Sequence, residues 1–152
     1  MNARDRASLT LSNAMQHQPA ILDIVRRDRR FPYEAYEFLE ESLQYTQKRL
    51  GRELEDRQSP EAHHHISGPE LVLGAIEFAK QEFGMLAATV FRMWKLHSTD
   101  DLGEIVFNLI DAGLLYRNES DCREQFHGLF DLDHALSEDF AISLTETPWA
   151  KR

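Results

Sequence analysis

Hydrophobic side chains recur every three or four positions along most of this chain. Such spacing puts them on one face of an α-helix rather than on one face of a strand. The longest repeat predicts a helix over residues 33–50 and consists of Tyr36, Leu39, Leu43, Thr46 and Leu50. An apolar side after Pro19 predicts an earlier helix that ends at the arginines of residues 26–30, where positive charge favours the negative end of the helix dipole.

A second group of helices is predicted after residue 66. Ser67 and Glu70 have the spacing of a capping box, in which each side chain accepts from the backbone N–H of the other residue. Apolar positions then continue to Phe83, Gly84 interrupts them, and a further apolar stretch reaches Trp94. This pattern predicts either two helices joined by a tight turn or one helix kinked at the glycine.

The remaining segments are predicted as follows. Ser98 or Thr99 begins a helix that ends at Gly113, which suits a left-handed cap. The next residues, 114–116, predict a short strand. Residues 126–136 fit either a last short helix or a pair of strands.

Together these segments predict a mainly α fold. We expect a single-domain bundle of five or six helices over residues 19–138, a disordered N-terminus at 1–18 and a loose C-terminal tail at 139–152. Helix, turn, helix and then Gly-Leu-Leu-Tyr is also the layout of a winged helix, so the second half is predicted to be winged-helix-like with a short β element. DNA binding through it is not expected, because Asp100, Asp101 and Glu104 stand where a DNA-reading helix needs basic or amide side chains.

Composition places the chain among globular proteins. Its 152 residues are 42% hydrophobic and 28% charged, and no apolar run reaches the ~18 residues that cross a bilayer. The first 18 residues lack the apolar core of a secretory signal, so we expect a cytoplasmic location and no membrane. Cys122 is the single cysteine. It is interpreted as an ordinary thiol, because no base stands near it in the sequence.

Charge is distributed unevenly along the sequence. Residues 98–139 contain eleven acidic and two basic residues, which alone account for the net charge of −9. An acidic surface in this half favours a basic protein partner, and Asp131 and Asp133 are the partner-binding candidates. The rest of the chain is neutral but locally basic at Arg26, Arg27, Arg29 and Arg30. These arginines are interpreted as a solvated helix end, with nucleic-acid binding as the alternative.

Three adjacent histidines are the candidate metal ligands. His63, His64 and His65 offer ring nitrogens, but neighbouring side chains do not easily face one ion, and the sequence has no HExxH or Cys/His spacing. The alternative interpretation puts His63 and His64 in a solvated loop and packs His65 beside the capping box. We therefore expect no cofactor.

Carboxylates and an amide make up the other candidate site. Asp101 and Glu104 lie three residues apart and could act as an acid/base pair, although the helix dipole also explains carboxylates in a first turn. Glu104 and Asn108 lie one turn apart and could meet His65. Such a trio is either a hydrogen-bonded lock between helices or a catalytic acid/base site. Four further residues are assigned structural roles: Ser67, Glu70, Trp94 and Gly113.

Several of these motifs resemble a conserved hypothetical protein family found chiefly in Planctomycetes and Verrucomicrobia. The resemblance rests on His-Ile-Ser-Gly at 65–68, Glu-Leu at 70–71, the segment 101–109 and Ala-Gly-Leu-Leu at 112–115, and it extends over roughly residues 20–136. The chain departs from the pattern at Lys95, where a glycine is expected, and at Leu102, where a phenylalanine is expected. The resemblance implies a bacterial cytosolic protein and supplies no catalytic residue.

The sequence therefore predicts an interaction or regulatory module that binds another protein. This prediction depends mainly on the exclusion of nucleotide loops, nucleophile motifs, metal signatures and basic stripes. The alternatives are a hydrolase or metal-dependent enzyme centred on His65 and Glu104, and nucleic-acid binding through residues 26–30.

Overall fold

Helices make up the regular structure of the chain. A computed structural model describes residues 17–52, 65–117 and 121–137. The α-helices are α1 (Pro19–Arg27), α2 (Tyr33–Arg49), α3 (Gly68–Phe83), α4 (Ala87–Met93), α5 (Thr99–Asp111) and α6 (Leu132–Ser137), and 3₁₀ helices span Gly84–Leu86 and Arg123–Phe126. The prediction of a mainly α fold is confirmed. The predicted N-terminal and C-terminal tails lie largely outside the described residues.

The start of α3 is fixed by side chains next to it in sequence. Ser67 Oγ accepts from the backbone N–H of Glu70 at 3.3 Å, and Glu70 Oε1 accepts from the N–H of Ser67 at 3.1 Å. Both halves of the capping box are therefore present, and they satisfy two N–H groups that a helix start otherwise leaves unpaired. Arg52 donates to the same Glu70 oxygen at 2.9 Å, which ties the end of α2 to the start of α3.

Gly84 separates α3 from α4. Its φ of 54° lies in the left-handed region that a residue without Cβ adopts at little cost. The 3₁₀ turn Gly84–Leu86 then leads directly into α4. Of the two alternatives from the sequence, the structure has two helices joined by a tight turn.

Close packing of α2 against α3 forms one half of the core. Gly74 on α3 lies where a Cβ would overlap Thr46 Oγ1 on α2, so the missing side chain allows the two helices to approach. At the other end of this pair, rings cluster around Phe38. Its ring centroid lies 5.3 Å from Phe78 and 5.4 Å from Trp94, which is half-buried.

The second half of the core forms around α5. Leu102, Ile105 and Leu109 are fully buried on its inner face. Phe126 packs across the starts of α3 and α5, since a Cβ on Gly68 would lie 2.9 Å from its ring and a Cβ on Gly103 would lie 2.7 Å from its side chain. One ring thus fixes the 3₁₀ helix Arg123–Phe126 against both helix starts.

The chain turns back on itself after α5. Gly113 has a φ of 76°, and the N–H of Leu114 donates to the carbonyl of Leu109 at 2.9 Å, which is the long bond of a Schellman cap. Residues 114–117 form bends and irregular chain, so the strand predicted at 114–116 is wrong. The described ranges contain no strand, and the winged-helix geometry is not confirmed. Residues 132–137 form the short helix α6 rather than a strand pair.

Lys95 ends α4 in the same manner but without a glycine. Its φ is 66°, and the N–H of Leu96 donates to the carbonyl of Phe91 at 2.9 Å. Position 95 is therefore the left-handed residue of a helix cap, where glycine is usual. Lys95 thus adopts a backbone conformation that glycine would adopt at less cost.

No helix within the three described ranges combines the length and apolar character that a bilayer requires.

Candidate functional site

The turn after α1 carries a carboxylate that organises its surroundings. Asp28 caps α1, and its backbone N–H donates to the carbonyl of Ile24 at 2.8 Å. Its carboxylate accepts hydrogen bonds from three donor groups of Arg30: the backbone N–H at 3.1 Å, Nε at 3.0 Å and Nη2 at 2.6 Å. The Arg30 guanidinium holds the pKa of Asp28 well below its usual range, and Asp28 in turn raises the pKa of Arg30.

Glu104 on α5 links this turn to the 3₁₀ helix Arg123–Phe126. Its carboxylate accepts from Arg30 Nη2 at 3.1 Å and from Arg123 Nη1 at 2.9 and 3.0 Å. The Glu104 side chain is 25% exposed, whereas those of Arg30 and Arg123 are 52% and 54% exposed. Two guanidinium groups therefore converge on one carboxylate at the surface.

Asn108, one turn further along α5, reaches inward from the same face. Its amide nitrogen donates to Asp28 Oδ2 at 3.0 Å and to the hydroxyl of Tyr36 on α2 at 3.1 Å. Burial raises the pKa of Tyr36, so the phenol stays neutral and can accept this bond. Asn108 thus holds the α1 turn, α2 and α5 together through a single amide.

Phe107 carries the remaining arginine contacts. The Cζ atoms of Arg117 and Arg123 lie 5.6 Å and 5.2 Å from its ring centroid, both within cation–π range. These are the two basic residues of the acidic segment 98–139. The fold therefore brings both of them to the Phe107 ring. The neighbouring Glu104 carboxylate also binds Arg30.

His65 meets a different partner from the one considered in the sequence. Its Nε2 lies 3.1 Å from Asp121 Oδ1, and Arg117 Nε donates to the Asp121 carbonyl at 3.1 Å. Glu104 is engaged by arginines, so the trio of His65, Glu104 and Asn108 is not assembled as one site. Instead, its members take part in two sets of polar contacts that Arg117 and Arg123 join across Phe107.

Of the three histidines that are candidate metal ligands, one belongs to the described residues. His63 and His64 lie outside the described residues, and His65 is paired with Asp121. Within the three described ranges, no group of three or more histidine, cysteine or acidic side chains could hold an ion.

Asp101 has a structural role. Its Oδ2 accepts from the backbone N–H groups of His97 at 2.8 Å and Ser98 at 3.2 Å, which caps the start of α5. Glu104 is occupied by Arg30 and Arg123. The two carboxylates are thus used separately, and they do not face one another as an acid/base pair.

The partner-binding candidates are also engaged within the chain. Asp131 Oδ1 accepts from the backbone N–H of His134 at 3.1 Å, which caps α6, and Asp133 accepts from Arg92 Nε at 2.9 Å. The Arg92–Asp133 pair is more than half exposed and lies at the rim of a cavity of about 290 Å³ between α4 and α6. The apolar floor of this cavity includes Phe91 and Leu132.

The N-terminal arginines divide into two kinds. Arg26 lies 3.4 Å from Asp23 in an exposed pair at the last turn of α1, whereas Arg30 belongs to the contacts with Asp28 and Glu104. The run of arginines at 26–30 does not distinguish these two kinds by its pattern. Cys122 has a carboxylate neighbour: the pKa of Glu124 is lowered by its own backbone N–H and by the Cys122 thiol, which donates a hydrogen bond.

One surface feature was missed in the sequence. Met85, Leu86 and Met93 are 100%, 64% and 72% exposed, although they lie in the apolar stretch between Gly84 and Trp94. Ala87, Ala88 and Phe91 take the buried positions of α4 instead. The signal that could have found this surface is the pair of alanines, since small side chains mark the side of a short helix that packs closely.

Comparison of the chain with protein-family models, with curated proteins and with solved structures found no match.

Proposed function

We propose that the chain is a protein-interaction module that docks a partner protein on α4. The docking surface, called here the α4 stripe, consists of Leu86, Val90 and Met93, with Met85 at its edge. The carrying observation is the exposure of Leu86 and Met93, which are 64% and 72% accessible to solvent.

The arrangement of these side chains supports the proposal. Leu86, Val90 and Met93 follow the spacing i, i+4, i+7, which aligns them along one side of a continuous helical run from Gly84 to Met93. Large apolar groups that share an exposed side mark interaction sites more often than scattered ones do. Methionine is suited to such a surface because its unbranched side chain adapts to different partners.

Charges next to the α4 stripe indicate the chemistry of the occupant. Arg92 and Lys95 are the charged residues within and directly after α4, and both are exposed. A partner segment with apolar side chains and flanking carboxylates would cover the stripe and meet Lys95, while Arg92 is shared with Asp133. We therefore propose an apolar segment with acidic flanks, presented by another protein.

This proposal changes the partner inferred from sequence. A basic partner was expected because residues 98–139 are rich in carboxylates. Asp133 is paired with the Arg92 guanidinium, and Asp131 and Asp101 each use an oxygen on a backbone N–H group, which leaves fewer of their oxygens to a partner. A cytoplasmic location remains part of the proposal, since a single cysteine suits a reducing compartment.

Other functions have less support from the described contacts. An enzyme centred on His65 and Glu104 needs both groups in one cleft, whereas they bind Asp121 and two arginines, respectively. A winged-helix DNA reader would need basic residues at the start of α5, where Asp100 and Asp101 stand.

The test compares charge insertion on and off the α4 stripe. Leu86→Glu and Met93→Glu each place a charge on the stripe, and Gln44→Glu places the same charge on an exposed position of α2. Tagged full-length chains are recovered from the cells that produce them, and co-purified proteins are identified by mass spectrometry. The proposal expects a protein that accompanies the wild type and Gln44→Glu but is lost with both stripe variants. Equal recovery with all variants, or no accompanying protein, would contradict it.

Self-association is a separate outcome of this test. Light scattering after size exclusion measures the mass of the purified chain. If a second copy covers the stripe, the wild type is a dimer and Met93→Glu is a monomer, and the proposal of a different partner protein is wrong.

A further inference from the structure

We infer that Arg30, Arg117 and Arg123 form a binding site for a phosphate monoester dianion, with Glu104 holding two of the three guanidinium groups in place. This site is independent of the α4 stripe, because it is built from the α1 turn, α5 and the residues around the 3₁₀ helix Arg123–Phe126.

The convergence of the arginines is the first argument. Arg30 and Arg123 are 93 positions apart in the sequence, yet both donate to the one carboxylate of Glu104 at 2.9–3.1 Å. Arg117 contacts the same Phe107 ring as Arg123, and the Arg117 Cζ atom lies 5.6 Å from the ring centroid. The planar guanidinium fork matches phosphate oxygens, which makes arginine the residue of choice for such sites.

The hydrogen-bonding capacity that remains is the second argument. Among the described residues, no acceptor engages Nη1 of Arg30, Nε and Nη2 of Arg123, or the two Nη atoms of Arg117. All three side chains are exposed. The contacts with Glu104 and Phe107 therefore fix these groups without using up their donors.

The way the arginines are held supports binding rather than loose solvation. Both carboxylate oxygens of Asp28 accept hydrogen bonds from Arg30, and Asp28 also accepts one from Asn108. The guanidinium groups of Arg117 and Arg123 lie against the Phe107 ring. A site whose groups are fixed before the ligand arrives loses less conformational entropy on binding. A phosphate dianion attracts these cations more strongly than a carboxylate does, and it can bind the remaining donors while Glu104 keeps its own contacts.

The chemistry favours a single phosphate over a nucleic-acid backbone. Two of the guanidinium groups meet at one carboxylate and the third lies at the neighbouring Phe107 ring, and the whole chain carries a net charge of −9. Asp100 and Asp101 lie one turn before Glu104 on the same helix. A polyanion that continued past the three arginines would meet these carboxylates and be repelled.

The probe is a short fluorescent peptide of glycine and alanine that carries one phosphoserine. Its binding to the full chain is measured by fluorescence anisotropy at low salt, beside the same peptide without phosphate and a twelve-residue oligothymidine. We expect the phosphopeptide to bind at least about tenfold more tightly than either of the others, a difference that a few charge-assisted hydrogen bonds supply.

Variants locate the site. Arg123→Gln and Arg117→Gln should each weaken phosphopeptide binding about tenfold. Arg26→Gln is the matched control, since it removes an equal charge from an exposed arginine that pairs with Asp23. Surface ion pairs contribute little to stability, so these variants should keep the circular dichroism spectrum of the wild type.

Two outcomes support the site and identify the kind of molecule that carries the phosphate. Three outcomes contradict the site. If inorganic phosphate and free phosphoserine displace the peptide, the ligand is a small phosphate; if only the peptide binds, the ligand is a phosphorylated protein segment. The inference is wrong if no phosphate probe binds, if oligothymidine binds as tightly, or if Arg26→Gln weakens binding as much as Arg123→Gln does. None of these results depends on the α4 stripe.

Discussion

Asn108 on α5 donates one hydrogen bond to the Tyr36 hydroxyl on α2, at 3.1 Å, and one to Asp28 after α1, at 3.0 Å. Both hydrogens of one amide are thus used between segments 72 and 80 residues apart in sequence. Asp28 in turn positions Arg30, so the same amide supports the arginines on the surface. A core contact and a surface site are therefore physically connected.

Loss of the Asn108 amide should destabilise the fold. Asn108→Ala leaves the Asp28 carboxylate and the Tyr36 hydroxyl without this donor in a partly buried place, so we expect the free energy of unfolding to fall by about 1–3 kcal/mol. Urea denaturation followed by circular dichroism measures the change. Tyr36→Phe is the matched comparison, because Asn108 keeps its bond to Asp28, and the loss should be smaller. A larger loss in Tyr36→Phe than in Asn108→Ala would contradict the assigned network.

Gly74 should resist even the smallest side chain. In an unhindered helix, replacing glycine by alanine gains up to about 1 kcal/mol. At position 74 the new Cβ would overlap Thr46 Oγ1, so Gly74→Ala is expected to cost about 1–3 kcal/mol through overpacking. Thermal or urea unfolding checks the sign of the change. The double variant Gly74→Ala with Thr46→Ala should recover part of the loss, and no recovery would argue against this close approach of α2 and α3.

Lys95 offers a stabilising change at the end of α4. Its φ of 66° is costly for a residue with a Cβ, whereas glycine adopts it freely. Lys95→Gly should therefore raise the free energy of unfolding by about 0.5–1 kcal/mol. Lys95→Ala removes the same charge but keeps the Cβ, so it should give no such gain. Equal effects of the two substitutions would mean that the charge, rather than the backbone, matters at this position.

Glu40 on α2 makes stability depend on pH. Burial raises its pKa, with the nearby Glu37 carboxylate adding to the shift, and one of its oxygens lacks a partner within the described residues. A raised folded-state pKa means that the stabilising protonated form is present at low pH and is lost as pH rises through that value. Glu40→Gln should therefore stabilise the chain at pH 7 but not at about pH 4, close to the ordinary glutamate value.

The control for this prediction lies on the same helix. Glu34 is exposed in the first turn of α2, where its charge favours the helix dipole, so Glu34→Gln should give no gain at pH 7. Urea unfolding at the two pH values decides the matter. A gain for Glu40→Gln that is equal at both pH values would show that the ionisation of Glu40 is not its cause.

Local features of the fold could be predicted from the sequence because their causes are local. The Ser67–Glu70 capping box and the Gly113 cap each depend on residues within one or two turns. The strand at 114–116 was predicted wrongly because the propensity of Leu-Leu-Tyr was overridden by the Leu114–Leu109 bond that closes α5. Intrinsic strand preference depends strongly on context, and here no neighbouring strand is present in the described residues.

Contacts between distant residues could not be predicted. His65 pairs with Asp121, and Glu104 pairs with Arg30 and Arg123, although sequence spacing had suggested a meeting of His65 with Glu104. Periodicity identifies the residues that share a helix face but not the partner that this face meets. The same limit applies to Leu86 and Met93, because an apolar stripe has the same sequence pattern whether it faces the core or the solvent.

The most direct test of the account is site-specific photocrosslinking from the α4 stripe in cells that produce the chain. Benzoylphenylalanine is introduced as Leu86→benzoylphenylalanine, with Gln44→benzoylphenylalanine as the exposed control on α2. The account predicts that light joins position 86, and not position 44, to an apolar segment with acidic flanks in another protein. Crosslinks that form equally from both positions, or none from position 86, would contradict the proposal that this surface docks a partner.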